Sequence, residues 1–508
     1  MSHRRRMSDR RAMSDRRAMS DRRAMSDRFS FPRSELRRRT LRGVLITGGF
    51  LVVIDALVLI QGLIVTRLLG PSEIGLYGIV STFVVSIVAL KRVGIDEAFV
   101  QQDELDQEAE FQRAFTLELV VGAVFTAIIC ALAPAVAAVY RDSRLTALTL
   151  ALAYLPLTFA LQAPIWVFFR RMQYARQRSL QAIQLLVGLV VTLPLAAATT
   201  LGVWSIVIGQ VAGYFAAIAV GLALSPYRLR LRYDRAAAQR YLRFSGPVMV
   251  ATLGALMVAQ GQQLAFKLEG GLAAAGFITL AVTLTRYVDR ADQIVTASIY
   301  PAICAIQDRP DAQEELFVKS NRATLAWVLP FSAGVVLFAP DLVRFVLGPR
   351  WHPAIVLLQG LAVAGAIGQL GFNWFSFYRA RGQTGPPAVE ALVGAAAFLA
   401  LAVPGLIVDG SDGFLAGRLA AVTIAVGVRW RYVRRLLPGV RAWALLTPAL
   451  LPLVIAIAAV GAVRAGLWGG YRSVWQALAE AVLFCGVYIA LVMRRERDLI
   501  AELRDALR

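Results

Sequence analysis

Val44-Leu-Ile-Thr-Gly-Gly-Phe-Leu-Val-Val-Ile-Asp55-Ala-Leu-Val-Leu-Ile-Gln-Gly-Leu-Ile-Val-Thr66 is an apolar run interrupted by a single charge, Asp55. At about 1.5 Å of rise per residue, a helix of this length crosses a hydrocarbon core of about 30 Å. Comparable runs recur along the chain. Counting them places spans near 44-66, 74-92, 114-137, 146-169, 180-200, 203-224, 245-266, 274-303, 323-347, 354-378, 387-408, 413-434, 443-464 and 472-493. The expectation is an all-α polytopic membrane protein of about 14 transmembrane helices with no sizeable soluble domain. The composition agrees: 58% of residues are hydrophobic, 17% are charged and the mean hydropathy is +0.61.

The formal charge of +21 invites a nucleic-acid reading, but much of it sits in one place. Residues 1–42 hold 15 Arg against five acids, in a hexad repeat Met7-Ser-Asp-Arg-Arg-Ala12 that restarts at Met13 and Met19 and breaks off at Met25-Ser-Asp-Arg28-Phe29. So polar a tail cannot bury a core and is expected to be disordered. Three readings stay open for it: a polybasic contact with anionic headgroups, a topological anchor, or translated sequence upstream of a true start at Met25. Nucleic acid is not an expected partner.

An even span count puts both termini on one side, and the basic tail makes that side the cytoplasm of a bacterial inner membrane. Alternating the loops accordingly gives 23 Lys and Arg on the tail side, from Lys91 to Arg441, against eight opposite: Arg67, Arg141, Arg144, Lys267, Arg344, Arg350, Arg464 and Arg472. Arg67-Leu-Leu-Gly70 with Gly75 is echoed by Lys267-Leu-Glu-Gly270 with Gly276, at an offset near 200. Two pseudo-symmetric six-helix lobes in one orientation follow, 43-240 and 241-440, with residues 441-508 as an added pair of helices and a cytoplasmic C-terminal tail.

The stretch Thr66-Arg-Leu-Leu-Gly-Pro-Ser-Glu-Ile-Gly75-Leu-Tyr77-Gly78, followed by Val93-Gly94-Ile95-Asp-Glu-Ala98-Phe-Val-Gln101, resembles the Wzx-type polysaccharide flippases of the multidrug/oligosaccharidyl-lipid/polysaccharide (MOP) exporter superfamily. Ala275-Gly276-Phe-Ile, Ile299-Tyr-Pro301-Ala-Ile and Val346-Leu-Gly348-Pro-Arg-Trp351 extend the likeness. The resemblance implies two lobes facing a central cavity, and movement of undecaprenyl-pyrophosphate-linked oligosaccharide across the cytoplasmic membrane for surface polysaccharide (lipopolysaccharide or exopolysaccharide) synthesis. It implies lipid-linked oligosaccharide, membrane lipids and polysaccharide polymerase or co-polymerase proteins as partners. In the motif itself, Gly70-Pro71 ends a helix, Gly75 permits a tight turn, and Tyr77 is expected at an interface, half in lipid.

A pyrophosphate in a membrane cavity needs cations, and a sugar needs amides, hydroxyls and rings. The eighth span offers Thr279, Thr283, Arg286, Arg290 and Gln293 at steps of four and three, with Asp289 and Asp292 beside them. Arg418 is a further phosphate contact or a partner for Asp55, and Gln263 and Asn373, with Gln260, Gln262, Gln369, Trp374 and Tyr378, are sugar contacts or helix-to-helix bonds. Asp55 is the candidate for coupling to a proton or sodium gradient, while Glu118 lies near enough to the cytoplasmic edge to snorkel. Cys130, Cys304 and Cys485 are read as packing residues, and no metal or organic cofactor is expected.

Two other functions compete. One is another exporter of the superfamily, for a cationic drug or the peptidoglycan lipid precursor, against which the Arg286 and Arg290 face favours an anion. The other is a membrane glycosyltransferase or polymerase. With His3 and His352 as the only histidines, short external loops and scattered external carboxylates, no catalytic residue is assigned.

Overall fold

The computed structural model describes residues 50, 53–91, 95–101, 106–171, 173–235, 246–383, 385–467 and 472–497, apart from some side chains within these helices. The basic tail lies outside them. Among the described residues the chain is all helix, and the helices match the 14 expected spans in order. We number them α1 (53–69), α2 (Pro71–Lys91), α3 (Gln107–Tyr140), α4 (Arg144–Leu161, continued by Pro164–Arg170), α5 (Tyr174–Ala198), α6 (Val203–Ala223), α7 (246–270) and α8 (272–305). The remainder are α9 (Pro310–Leu347), α10 (Ala354–Gly368 with Trp374–Ala380), α11 (385–408), α12 (411–436), α13 (Ala442–Leu467) and α14 (Val474–Arg495).

Neighbouring helices fold back on each other as hairpins. Gly271, with φ 72°, breaks the path between α7 and α8, and Gln263 and Thr279, each eight residues from it, join by a hydrogen bond of 2.9 Å. α11 and α12 turn at Asp409-Gly410, and α5 and α6 pack through Gly188, Gly209 and Gly213. Lipid tails are as apolar as the side chains, so association rests on close packing and polar bonds, which is why small residues fill these seams. We call the end of the bundle that carries the loops rich in arginine the basic end, and the other the far end.

The two lobes meet where α2 crosses α8 at the far end. A Cβ on Gly75 would strike the Leu272 carbonyl, and one on Gly276 would strike the Pro71 carbonyl. Pro71 and Leu272, like Gly75 and Gly276, are related by a shift of 201 residues, so the contact is reciprocal about a pseudo-twofold axis. Gly78 meets Thr279, its own counterpart at the same shift. Gly70 (φ 82°) then pairs with Gly271 rather than with Gly270 as the motif suggested. Gly75 also does not form a tight turn: it lies inside α2, where its missing side chain lets two backbones touch.

Several charges assigned to loops are inside the bundle. Lys91 is 3% exposed and donates to Glu118 at 2.6 Å and to the Pro156 carbonyl at 2.9 Å, where α4 is broken. Glu118 therefore does not snorkel; it neutralises a lysine that caps a broken helix. Arg429 does the same for α10, donating to the carbonyls of Gly368 (2.6 Å) and Leu370 (2.8 Å) while paired with Glu390 at 2.7 Å. In hydrocarbon an unsatisfied carbonyl costs several kcal/mol, which is what recruits these cations. The three cysteines are not core packing residues but lie exposed on the protein surface. The added pair, α13 and α14, is fastened to α9 by Arg322–Glu496 (2.6 Å) near the basic end and by Arg464, Arg472, Asp341 and Glu480 near the far end.

Gly276→Leu should lower the thermal unfolding midpoint in detergent, with a cost of about 1–3 kcal/mol for overpacking a filled seam. Gly461→Leu, at a position with nothing within 4 Å of the new Cβ, is the matched control. Equal midpoints for the two variants would refute the contact.

Candidate functional site

Between the lobes lies a cavity of about 640 Å³ walled by α1, α2, α5, α6 and α8. Helical periodicity aligns its polar groups: Asp55 and Gln61 on α1, Arg178, Gln181 and Gln184 on α5, Gln210 and Tyr214 on α6, and Thr279, Thr283, Tyr287 and Arg290 on α8. Its lining runs from Thr66, Ile74, Thr192 and Ile206, near the far end, to Asp55, Arg178 and Arg290, nearer the basic end. Near the far end α2 and α8 are in backbone contact, and Arg67 joins the lobes there by donating to the carbonyls of Phe345 (3.2 Å) and Val346 (2.8 Å) on α9.

Asp55 and Arg290 form an ion pair at 3.0 Å from one lobe to the other, with the Tyr287 hydroxyl donating to the Asp55 carbonyl at 3.3 Å. Among the described residues this is the one ion pair that joins the first six helices to α8. Arg178 stands on α5, donating to Gln181 at 2.7 Å, and its Nε is buried without a hydrogen-bond partner. Gln210 donates to the Tyr77 hydroxyl at 2.6 Å, leaving its own Oε1 without a partner. Two arginines against one aspartate leave the lining net positive, and its amides and hydroxyls add neutral polar groups, which suits a ligand with anionic and hydroxyl groups.

Of the residues singled out in the sequence as polar candidates, Thr279, Thr283, Arg290 and Asp55 line this cavity. Arg286 does not: the inward stripe of α8 runs through Thr279, Thr283, Tyr287 and Arg290 at steps of four and three, with Arg286 beside it in the 3-10 turn Arg286–Val288. Asp289 turns into the second lobe, accepting from Gln369 at 2.7 Å, and Arg418 lies over the Phe398 ring rather than beside Asp55. Gln263 is 4% exposed and held by Thr279; Asn373, 1% exposed, bridges Asn321 (2.9 Å) and Ser320 (2.6 Å) between α9 and α10. Trp374 stacks on Tyr432 with centroids 5.9 Å apart and Tyr378 bonds the Tyr432 carbonyl, so neither ring faces the cavity. The Gln293 side chain lies outside the described residues.

The polar lining residues missed were Gln61, Arg178, Gln181, Gln184, Gln210 and Tyr214, and Tyr77 was read as facing lipid. Placing the start of the fifth span at residue 180 left Arg178 among the loop charges, whereas α5 begins at Tyr174. The steps of three from Arg178 to Gln181 to Gln184 were the available signal. Tyr77 faces the cavity, not lipid, because its hydroxyl is bonded across to α6.

A model of the family described as polysaccharide biosynthesis protein matches residues 64–356. The chain belongs to this family. A polysaccharide biosynthesis relative, the lipopolysaccharide biosynthesis protein WzxC of Escherichia coli strain K12, is 23% identical over 351 residues, 66% of this chain and 69% of that one. The fold is shared with the lipid II flippase MurJ in an inward closed conformation (TM-score 0.63, 13% identity, 88% of this chain and 100% of that one). It is shared too with a multidrug resistance MATE family transporter of the MOP superfamily. The inward-facing form gives TM-score 0.62 at 14% identity over 74% of this chain and 94% of that one. The outward-facing form gives 0.52 at 14% identity over 78% and 94%. The resemblance to Wzx-type flippases read from the motifs is thereby matched by family, relative and fold.

Two of the far-end carboxylates serve the fold: Glu73 accepts from the Val203 N–H at 2.6 Å, and Asp142 is held below the usual carboxylate range by its hydrogen bonds from Arg144. Among the described residues no group of three or more His, Cys, Asp or Glu side chains could hold a metal ion.

In a cysteine-free background, Gln184→Cys should react with a membrane-impermeant thiol reagent, while Val190→Cys, 65% exposed on the lipid side of the same helix, should not. Equal labelling at the two positions would show that α5 does not present this face to water.

Proposed function

We propose that the chain is a flippase that carries lipid-linked oligosaccharide across the cytoplasmic membrane, taking the pyrophosphate and sugar head into the cavity from the basic, cytoplasmic end. It is a transporter, not an enzyme. The observation that carries the reading is the division of the cavity wall. Arg178 and Arg290 stand at the level nearer the basic end, where a pyrophosphate would enter, and Gln61, Gln184, Gln210, Tyr77 and Tyr214 offer amides and hydroxyls to a sugar. The polyprenyl tail stays in the bilayer, which costs nothing, while the head that could not cross lipid is surrounded by protein. On this reading both termini are cytoplasmic, and a polysaccharide polymerase or co-polymerase consumes the product on the other side.

A substrate pyrophosphate competes with Asp55 for Arg290. Asp55 is therefore the group through which a proton or sodium gradient would act: neutralising its carboxylate removes its pull on Arg290 and loosens the bond between α1 and α8.

Sealed proteoliposomes loaded with a fluorescent undecaprenyl-pyrophosphate oligosaccharide test the function, with transfer read by access to an added sugar-binding protein. Arg178→Ala with Arg290→Ala should slow transfer by at least about tenfold, since charge-assisted hydrogen bonds are each worth roughly 1.5–3 kcal/mol. The gel-filtration profile should stay that of wild type. Wild type that leaves the lipid where it was loaded would overturn the substrate class and favour a drug exporter.

Asp55→Asn should retain transfer but lose its response to an imposed proton or sodium gradient. A gradient response equal to that of wild type would remove Asp55 from coupling.

A further inference from the structure

A second, smaller groove lies on the outside of the bundle, away from the cavity. It is formed by Leu451, Pro452 and Ile455 of α13 and Leu491, Arg494 and Arg495 of α14, and encloses about 210 Å³. We infer that it binds one anionic phospholipid of the basic-end leaflet, with the phosphodiester on Arg494 and Arg495 and an acyl chain along the apolar residues.

The vertical order of the groups fits that ligand. Leu491 lies three and four residues before the arginines, so the guanidiniums sit about 5 Å nearer the basic end than the apolar wall. That is the order of phosphate and acyl chain in a bilayer. Charge fits as well. The neighbouring carboxylate, Glu496, is 6% exposed and occupied by Arg322 through contacts of 2.6 and 2.8 Å, so it does not neutralise Arg494 or Arg495. Neither arginine has a carboxylate partner among the described residues. Pro452 adds a wall segment with no N–H to satisfy.

The two helices that form the groove are fixed in place, α14 to α9 by Arg322–Glu496 and to α13 by Glu480 with Arg464. The transported lipid is not the occupant, because α13 and α14 contribute nothing to the central cavity and a pyrophosphate held here would leave its sugar outside the protein.

Native mass spectrometry of the full chain, given equal phosphatidylglycerol and phosphatidylcholine, tests the site. Wild type should retain the anionic lipid at least about tenfold in preference, the expectation for two arginines at a headgroup. Arg494→Ala with Arg495→Ala should abolish the preference, and Ile455→Trp, which fills the groove and keeps both charges, should abolish retention. Should the double variant fail to fold, Ile455→Trp decides. Equal retention of the two lipids by wild type, unchanged preference in the variants, or thermal stabilisation by inorganic phosphate equal to that by the lipid would each overturn the proposal.

Discussion

Two helix backbones touching through Gly75 and Gly276 set the geometry of everything below them. With the Leu272 and Pro71 carbonyls against the glycine Cα atoms, α2 and α8 approach more closely than any side chain would permit. Both helices also wall the cavity, so this contact fixes the two sides of it that come from different lobes. The seam is dry and shape-dependent, the kind of contact that forms and releases as a unit.

A membrane interior tolerates broken helices only where something else satisfies the freed backbone. α4 and α10 are broken, one in each lobe, and each break is met by a cation from a neighbouring helix, Lys91 or Arg429, which is in turn neutralised by Glu118 or Glu390. These groups are buried charges that serve the backbone of a neighbouring helix. What distinguishes Asp55, Arg178 and Arg290 is that they line the cavity.

The number of helices, their order and the two-lobe repeat were legible in the sequence because hydrophobic length and the offset of the Gly-rich motifs are one-dimensional signals. The site was legible only in part. Helical spacing brought Thr279, Thr283 and Arg290 together, but it fixes only which residues share a stripe, and the stripe that faces the cavity continues through Tyr287 rather than Arg286. Arg178 was hidden by a span boundary, since an arginine one turn inside a helix reads like one in a loop. Asn373 and Gln263 show the converse: polar residues in apolar runs are equally suited to joining helices, and only the partners Ser320, Asn321 and Thr279 reveal which use was made of them.

The reciprocal contact has an evolutionary reading. Gly75 against Leu272 and Gly276 against Pro71 is the pairing that two identical subunits of six helices would make across a true twofold axis, each offering the same glycine to the same carbonyl of its mate. In such an ancestral dimer one codon specified both halves of the joint, and any change there was made twice. Fusion of such a pair into a single chain would separate the two codons. One lobe could then carry Arg178, Gln184 and Gln210 opposite α8 with no matching change in the other, so that a symmetric joint supports a lopsided chamber.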